Sequence, residues 1–188
     1  FEEGPFVAST RAGNVIGGGD WAEDRIVPDA VRAWIKNKPV VIRHPESTRP
    51  WQYVLEPLSG YLLLGKLLYK KGKTFASQAY NFGPSNMDDH SVKDVLNCIK
   101  KYWDNAGWLI EKHNSTAKES ILLKLNCDKV LSMLGWHSVF SFEESMEMTA
   151  SWYKSFYEDK DINMLEFSFD QIKMYEKKAK KIGLLWPK

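Results

Sequence analysis

Phe6-Val-Ala-Ser-Thr-Arg-Ala-Gly-Asn-Val-Ile-Gly-Gly-Gly-Asp-Trp21 passes from a short, strand-like run into a glycine-rich loop, expected over residues 14–24. Val27, Val31, Trp34 and Ile35 then recur at helical spacing, with Pro28 near the start, where its missing N–H does no harm. Strand, glycine loop and helix form the unit of open α/β sheets, which place ligands beyond the carboxyl ends of their strands. Gly17, Gly18 and Gly19, followed by Asp20, permit close backbone approach of an anion or a sugar ring. By spacing alone the loop reads as a structural turn first and a ligand loop second, because it carries neither the dinucleotide fingerprint nor a P-loop ending. A buried strand beginning at Phe6 needs a neighbour. The expectation is therefore a chain whose earlier part lies upstream of Phe1.

Outward from this unit, Val40-Val41-Ile42 is β-branched and strand-like, and a polar, irregular stretch from Arg43 to Pro50 leads to a second strand over Gln52–Leu55. Pro57 opens a helix expected to carry Leu58, Tyr61, Leu62, Gly65 and Leu68 on one face and to close at Lys70-Lys71-Gly72. Ala79–Phe82 reads as a strand, with a turn at Gly83-Pro84-Ser85-Asn86. Ser91 and Asp94 resemble a capping box ahead of a helix running towards Trp103, and Ser141 and Glu144 another ahead of a longer helix. Residues 121–125 read as a strand, 128–134 as a short helix and 169–182 as an amphipathic, Lys-rich helix. Strands alternate with helices over the first ninety residues and helices dominate afterwards, which makes the fold class α/β.

The 188 residues carry 26 Lys plus Arg against 24 Asp plus Glu, a net charge of +2. That balance gives no reason to expect a nucleic-acid partner. No apolar run approaches the ~20 residues of a membrane span, and the acidic, Pro-broken start is not a secretory signal. Two cysteines, Cys98 and Cys127, are too few for a disulfide scaffold, so a reducing cytoplasm is the plain reading. Aromatics reach 13%, with eight Trp, which points first to a large aromatic core and second to a surface that stacks ligands or docks another domain.

Arg25, Arg43 and Arg49 fall in irregular segments, where guanidinium groups grip phosphate bidentately or simply face solvent. Asn14 and Asn81, each at a strand end, add amide donors. His44, His90, His113 and His137 are scattered without metal-ligand spacing, and Tyr69-x-x-x-Lys73 is broken by Gly72, so neither a metal nor a catalytic group is assigned.

Taken together, the segments at 11–28, 39–43 and 49–64, with Tyr80-Asn-Phe-Gly-Pro84, Leu123–Lys129 and Leu134-Gly-Trp136, closely resemble CDP-glucose 4,6-dehydratases. These belong to the extended short-chain dehydrogenases acting on nucleotide sugars. The resemblance runs from about residue 6 to residue 157 and covers only the C-terminal half of such an enzyme. It implies an NAD-binding Rossmann-like fold whose glycine turn and catalytic Tyr-x-x-x-Lys lie in a missing N-terminal half. Residues 1–90 would then be the last strands and helices of the dinucleotide-binding sheet interleaved with substrate-binding segments, 91–160 the smaller substrate lobe, and 161–188 a helical extension.

By the same resemblance Asn14 contacts the nucleotide-sugar diphosphate, and Arg25 and Ile26 open the helix facing the nucleotide. Ile42 and Arg43 line base and ribose, Arg49 binds a phosphate, and Asn81 lies near the same ligand. Arg11 and Gly17 to Asp20 shape the loop beneath, and Glu119 falls at the rim of the substrate site, where Lys118-Glu119 replaces a His-Glu pair common in the family. The whole enzyme would oxidise CDP-glucose at C4 with bound NAD, lose water across C5–C6 and return hydride to C6. The chain alone would bind but not catalyse. The alternatives are another nucleotide-sugar dehydratase or epimerase, or a non-catalytic binding or interaction module; no oligomeric state follows.

Overall fold

The computed structural model describes residues 4–84, 89–111 and 124–184. In chain order it builds β1 (Ser9–Ala12), β2 (Asn14–Ile16), α1 (Ile26–Trp34), β3 (Val40–Ile42), β4 (Thr48–Arg49), β5 (Trp51–Tyr53), α2 (Leu55–Lys71) and β6 (Ala79–Phe82). There follow β7 (His90–Ser91), α3 (Val92–Ile99), β8 (Trp108–Ile110), α4 (Asp128–Leu134), α5 (Phe142–Glu158) and α6 (Met164–Lys181). The strands form pairs: β1 with β6, β2 with β5 and β3 with β8 run parallel, and β4 with β7 antiparallel.

Several boundaries move. The first strand starts at Ser9 rather than Phe6, and it is exposed rather than buried: its partner among the described residues is β6 alone, on one edge. Asn14–Ile16, expected as loop, is a strand, because β5 offers its backbone a parallel partner. The stretch expected to be irregular contains β4, held by β7. β5 ends at Tyr53, and α2 begins two residues ahead of Pro57. α3 stops at Ile99, and a 3-10 turn over Lys100–Tyr102 carries the chain on. α6 begins at Met164, five residues earlier than expected, where Asn163 caps it through Leu165 and Glu166. The strand expected over 121–125 lies largely outside the described residues, as does part of the turn after Gly83.

The face of α2 is also other than expected. Leu58 and Leu62 are 45% and 76% exposed, and Tyr69 is 91% exposed. The buried side is Glu56, Ser59, Gly60 and Leu64, which pack towards β5, β6 and Trp136.

The main core gathers Val27, Val31 and Trp34 of α1, Val40 and Ile42 of β3, Val95, Leu96 and Ile99 of α3, and Met146 and Tyr153 of α5. A second core holds Leu64, Phe75, Tyr80, Phe82, Val130 and Trp136. Most of the aromatic excess is thus interior. Trp21, Trp152, Tyr153, Phe156 and Tyr157 form a further cluster, with Trp21 and Phe156 partly in solvent.

Both expected capping boxes are present. In the first, Asp94 Oδ2 accepts from the Ser91 backbone N–H at 2.8 Å and from its hydroxyl at 2.7 Å, while Ser91 Oγ accepts from the Asp94 N–H at 3.1 Å. Burial pushes the Asp94 carboxyl up, but the Ser91 donors, with His90 and Lys93, outweigh it and hold the pKa below its ordinary value. A depressed carboxylate contributes stability above its unfolded pKa and loses it as pH falls through the folded one. Asp94→Asn is therefore expected to cost about 1 kcal/mol at neutral pH, and the gap from wild type to close in acid, as thermal unfolding against pH will show.

Candidate functional site

β2, α1, β3 and β4 enclose a cavity of about 1230 Å³. Its floor is the start of the β2–β5 pair, where the Asn14 N–H donates to the Pro50 carbonyl at 3.0 Å and Asn14 stands opposite Trp51. Its walls bring together residues far apart in the chain. Asn14, Gly17 and Asp20 come from β2 and its loop, Arg25 and Ile26 from the head of α1, Ile42 and Arg43 from the end of β3, and Arg49 from β4. Asn14, Arg25, Ile26, Ile42, Arg43 and Arg49 sit at or next to an element's end, where the backbone is fixed on one side, and Ile42 is itself buried in the main core.

The cavity is mixed in charge. Arg25 Nη1 lies 3.7 Å from Asp20 Oδ2, and Arg43 Nη2 lies 3.9 Å from Asp24 Oδ1, both long and largely exposed pairs of the kind worth little in water. Arg49 Nη1 donates to the Thr48 carbonyl at 2.8 Å, which holds its guanidinium at the strand. Trp51 donates from its indole to the His90 carbonyl at 2.9 Å, and the His90 ring stacks on Phe142 at 3.6 Å. The wall around β4 is thereby tied to α5.

The glycine loop is held from the same helix. Tyr153 Oη donates to the Asp20 carbonyl at 2.6 Å and accepts from the Asp20 N–H at 3.1 Å, and burial pushes its pKa up to about 12. Trp152 lies directly against Gly18, so close that a Cβ there would stand 2.0 Å from Cγ of the ring. The close approach that these glycines permit is thus used by a tryptophan.

Other sequence candidates lie apart. Arg11 and Asn81 face one another across the β1–β6 pair, outside the cavity, and Asn81 Nδ2 donates to the Asn126 carbonyl ahead of α4 at 3.0 Å. Gly18 and Gly19 shape the loop without lining the cavity. Glu119 lies outside the described residues. Conversely, Ser47, Val92 and Glu111 line the cavity without having been singled out, and so does His44, which had been set aside as one of the scattered histidines. The signal for Glu111 was the apolar Trp108-Leu109-Ile110 run before it, which is β8. Among the described residues no cluster of His, Cys, Asp and Glu could hold a metal ion, and no helix is long and apolar enough to cross a membrane.

This mixed α/β arrangement is the fold of NAD-dependent epimerases and dehydratases of the extended short-chain dehydrogenase kind. UDP-glucuronic acid 4-epimerase from Bacillus cereus, solved with UDP-glucuronic acid and NAD, superposes with a TM-score of 0.64 at 17% identity, covering 79% of this chain and 45% of that one. dTDP-glucose 4,6-dehydratase from Bacillus anthracis, solved with NAD, gives 0.61 at 18% identity, covering 79% and 44%. The sequence narrows this further. The chain is a relative of CDP-glucose 4,6-dehydratase from Salmonella typhimurium, 43% identical over 162 residues, which is 86% of this chain. It spans 45% of that relative's length. No protein-family model matches the chain.

Proposed function

We propose that this chain is the part of a CDP-glucose 4,6-dehydratase that holds the nucleotide sugar. The observation that carries the reading is the convergence of Arg25, Arg43, Arg49 and Asn14 on one cavity. A diphosphate needs guanidinium forks and amide donors fixed at rigid ends, and this cavity offers both. The hexose would be positioned by energy gained at the remote nucleotide, with Arg49 and Asn14 holding the phosphates and Ile42 supporting the base. None of these residues is assigned a bond-making role.

The solved relatives carry NAD, but the glycine loop here does not fit it. The space over Gly18, where a pyrophosphate would have to approach, is filled by Trp152, and Gly17 and Asp20 border the sugar-nucleotide cavity instead. We assign no redox step to this chain and expect it to be inactive by itself. The open edge of β1 and the exposed Leu58, Leu62 and Tyr69 of α2 are where the remaining length of the dehydratase would pack. Cys98 and Cys127, both free, suit a reducing cytoplasm.

The test is calorimetric titration of the chain with CDP-glucose, with NAD as control. Binding of CDP-glucose with NAD silent is expected, and Arg49→Ala should weaken it by roughly 10- to 100-fold, the worth of a charge-assisted phosphate contact. A folded chain that binds no nucleotide sugar would overturn the reading and leave an interaction module.

A further inference from the structure

We propose that Trp51 is a positioning residue for the phosphate contacts, setting where Arg49 stands relative to Asn14; the proposal rests on the nucleotide-sugar reading above. The chain changes partners at Pro50. Thr48–Arg49 pairs antiparallel with β7, Arg49 standing opposite His90, whereas Trp51–Tyr53 pairs parallel with β2, Trp51 standing opposite Asn14. Pro50 between them has no N–H to give to either partner, and its carbonyl accepts from the Asn14 N–H at 3.0 Å. The backbone there lies so close to the start of β2 that a Cβ on Gly13 would stand 2.4 Å from the Pro50 oxygen. Main-chain bonding thus fixes Trp51 against Asn14 and Arg49 against His90, but the two ladders belong to separate sheets.

The Trp51 side chain spans the switch. Its indole N–H donates to the His90 carbonyl at 2.9 Å, so a residue of the β2–β5 pair holds a residue of the β4–β7 pair. Trp51 is 7% exposed, belongs to the main core and lines the cavity together with Asn14 and Arg49. His90 is a firm anchor, because its ring stacks on Phe142 of α5 at 3.6 Å. The Arg49 guanidinium follows its strand, since Nη1 donates to the neighbouring Thr48 carbonyl at 2.8 Å. A diphosphate held from two strands depends on the spacing of its donors, and a shift of about 1 Å in one of them is enough to weaken the grip. The indole hydrogen bond fixes that spacing.

Calorimetric titration of wild type, Arg49→Ala, Trp51→Phe and the double variant with CDP-glucose tests this, circular dichroism checking that each is folded at the titration temperature. Trp51→Phe keeps an aromatic ring in the core and removes the N–H. It should weaken CDP-glucose by about tenfold in the wild-type background but by less than about threefold beside Arg49→Ala, because the contact it serves is then already gone. A structural role alone would lower the unfolding temperature and leave the affinity unchanged, and a direct contact of the indole with the ligand would make the two losses additive; either result overturns the proposal while the nucleotide-sugar reading stands. Should Trp51→Phe not fold, Phe142→Leu decides, since it loosens His90 from outside the cavity: the same coupling to Arg49→Ala is expected, and an additive or absent loss overturns the proposal. A folded wild type that binds no nucleotide sugar overturns both.

Discussion

Glu56→Ala is expected to lower the unfolding free energy by about 4 kcal/mol, the upper end of what one substitution does. Glu56 is 1% exposed, yet its carboxylate is surrounded by donors. The Val139 N–H reaches both oxygens at 3.0 Å, the Phe140 N–H donates at 2.8 Å, and Tyr175 Oη of α6 donates at 2.7 Å. Burial pushes the Glu56 pKa up, while these donors and Lys178 pull against it. Truncation to alanine would strand two backbone N–H groups and a tyrosine hydroxyl in the interior, each costing roughly 1–3 kcal/mol, offset in part by Ser59 Oγ, which lies 3.1 Å from Tyr175 Oη. Glu56→Gln keeps the volume and one acceptor and should cost about half as much. Urea unfolding monitored by Trp fluorescence checks both, and an alanine variant within about 1 kcal/mol of wild type would show that water replaces the carboxylate.

Gly18→Ala is the second large effect, and it joins stability to binding. The added carbon would lie 2.0 Å from Cγ, 2.1 Å from Cδ2 and 2.6 Å from Cβ of Trp152, atoms near the backbone that cannot swing aside. The indole is anchored as well, since its Nε1 donates to Ser168 Oγ of α6 at 3.0 Å and its ring stacks on Phe156 at 5.5 Å. The loop must therefore move. A loss of about 3 kcal/mol is expected, typical of overpacking in a rigid site. Because Gly17 and Asp20 of the same loop border the cavity, CDP-glucose affinity should fall by roughly tenfold or more with it. Gly65→Ala is the control: beyond its chain neighbours and the backbone of its own helix, no atom lies within 4 Å of a Cβ there, in the exposed middle of α2, and it should stabilise by up to about 1 kcal/mol. Equal effects of the two substitutions, read by thermal unfolding and calorimetry, would contradict the steric account.

Much of the candidate site is legible in the sequence. Asn14, Arg25, Arg43 and Arg49 were singled out as polar residues at element ends and Ile42 through the family resemblance, and they border one cavity. Asn81 had the same local signature, yet it serves the packing of β6 against the segment ahead of α4. A strand end with an amide looks alike in both places; which strand it pairs with decides the difference. Glu111 was passed over because three residues of strand carry no periodicity of their own, and β8 exists by virtue of a partner 68 residues earlier in register.

What the amino-acid sequence determined by itself was local. The starts of α1, α3 and α5 follow from Pro28, from Ser91 with Asp94 and from Ser141 with Glu144, because caps and helical spacing act within one or two turns. The kinship with CDP-glucose 4,6-dehydratase was likewise readable from contiguous segments. Tertiary structure decided the rest. Which side of α2 turns inward depends on Glu56 finding the amides of Val139 and Phe140, not on where its leucines fall. Whether the glycine loop meets a ligand or an indole depends on α5 bringing Trp152 over Gly18, since a glycine records only that something comes close.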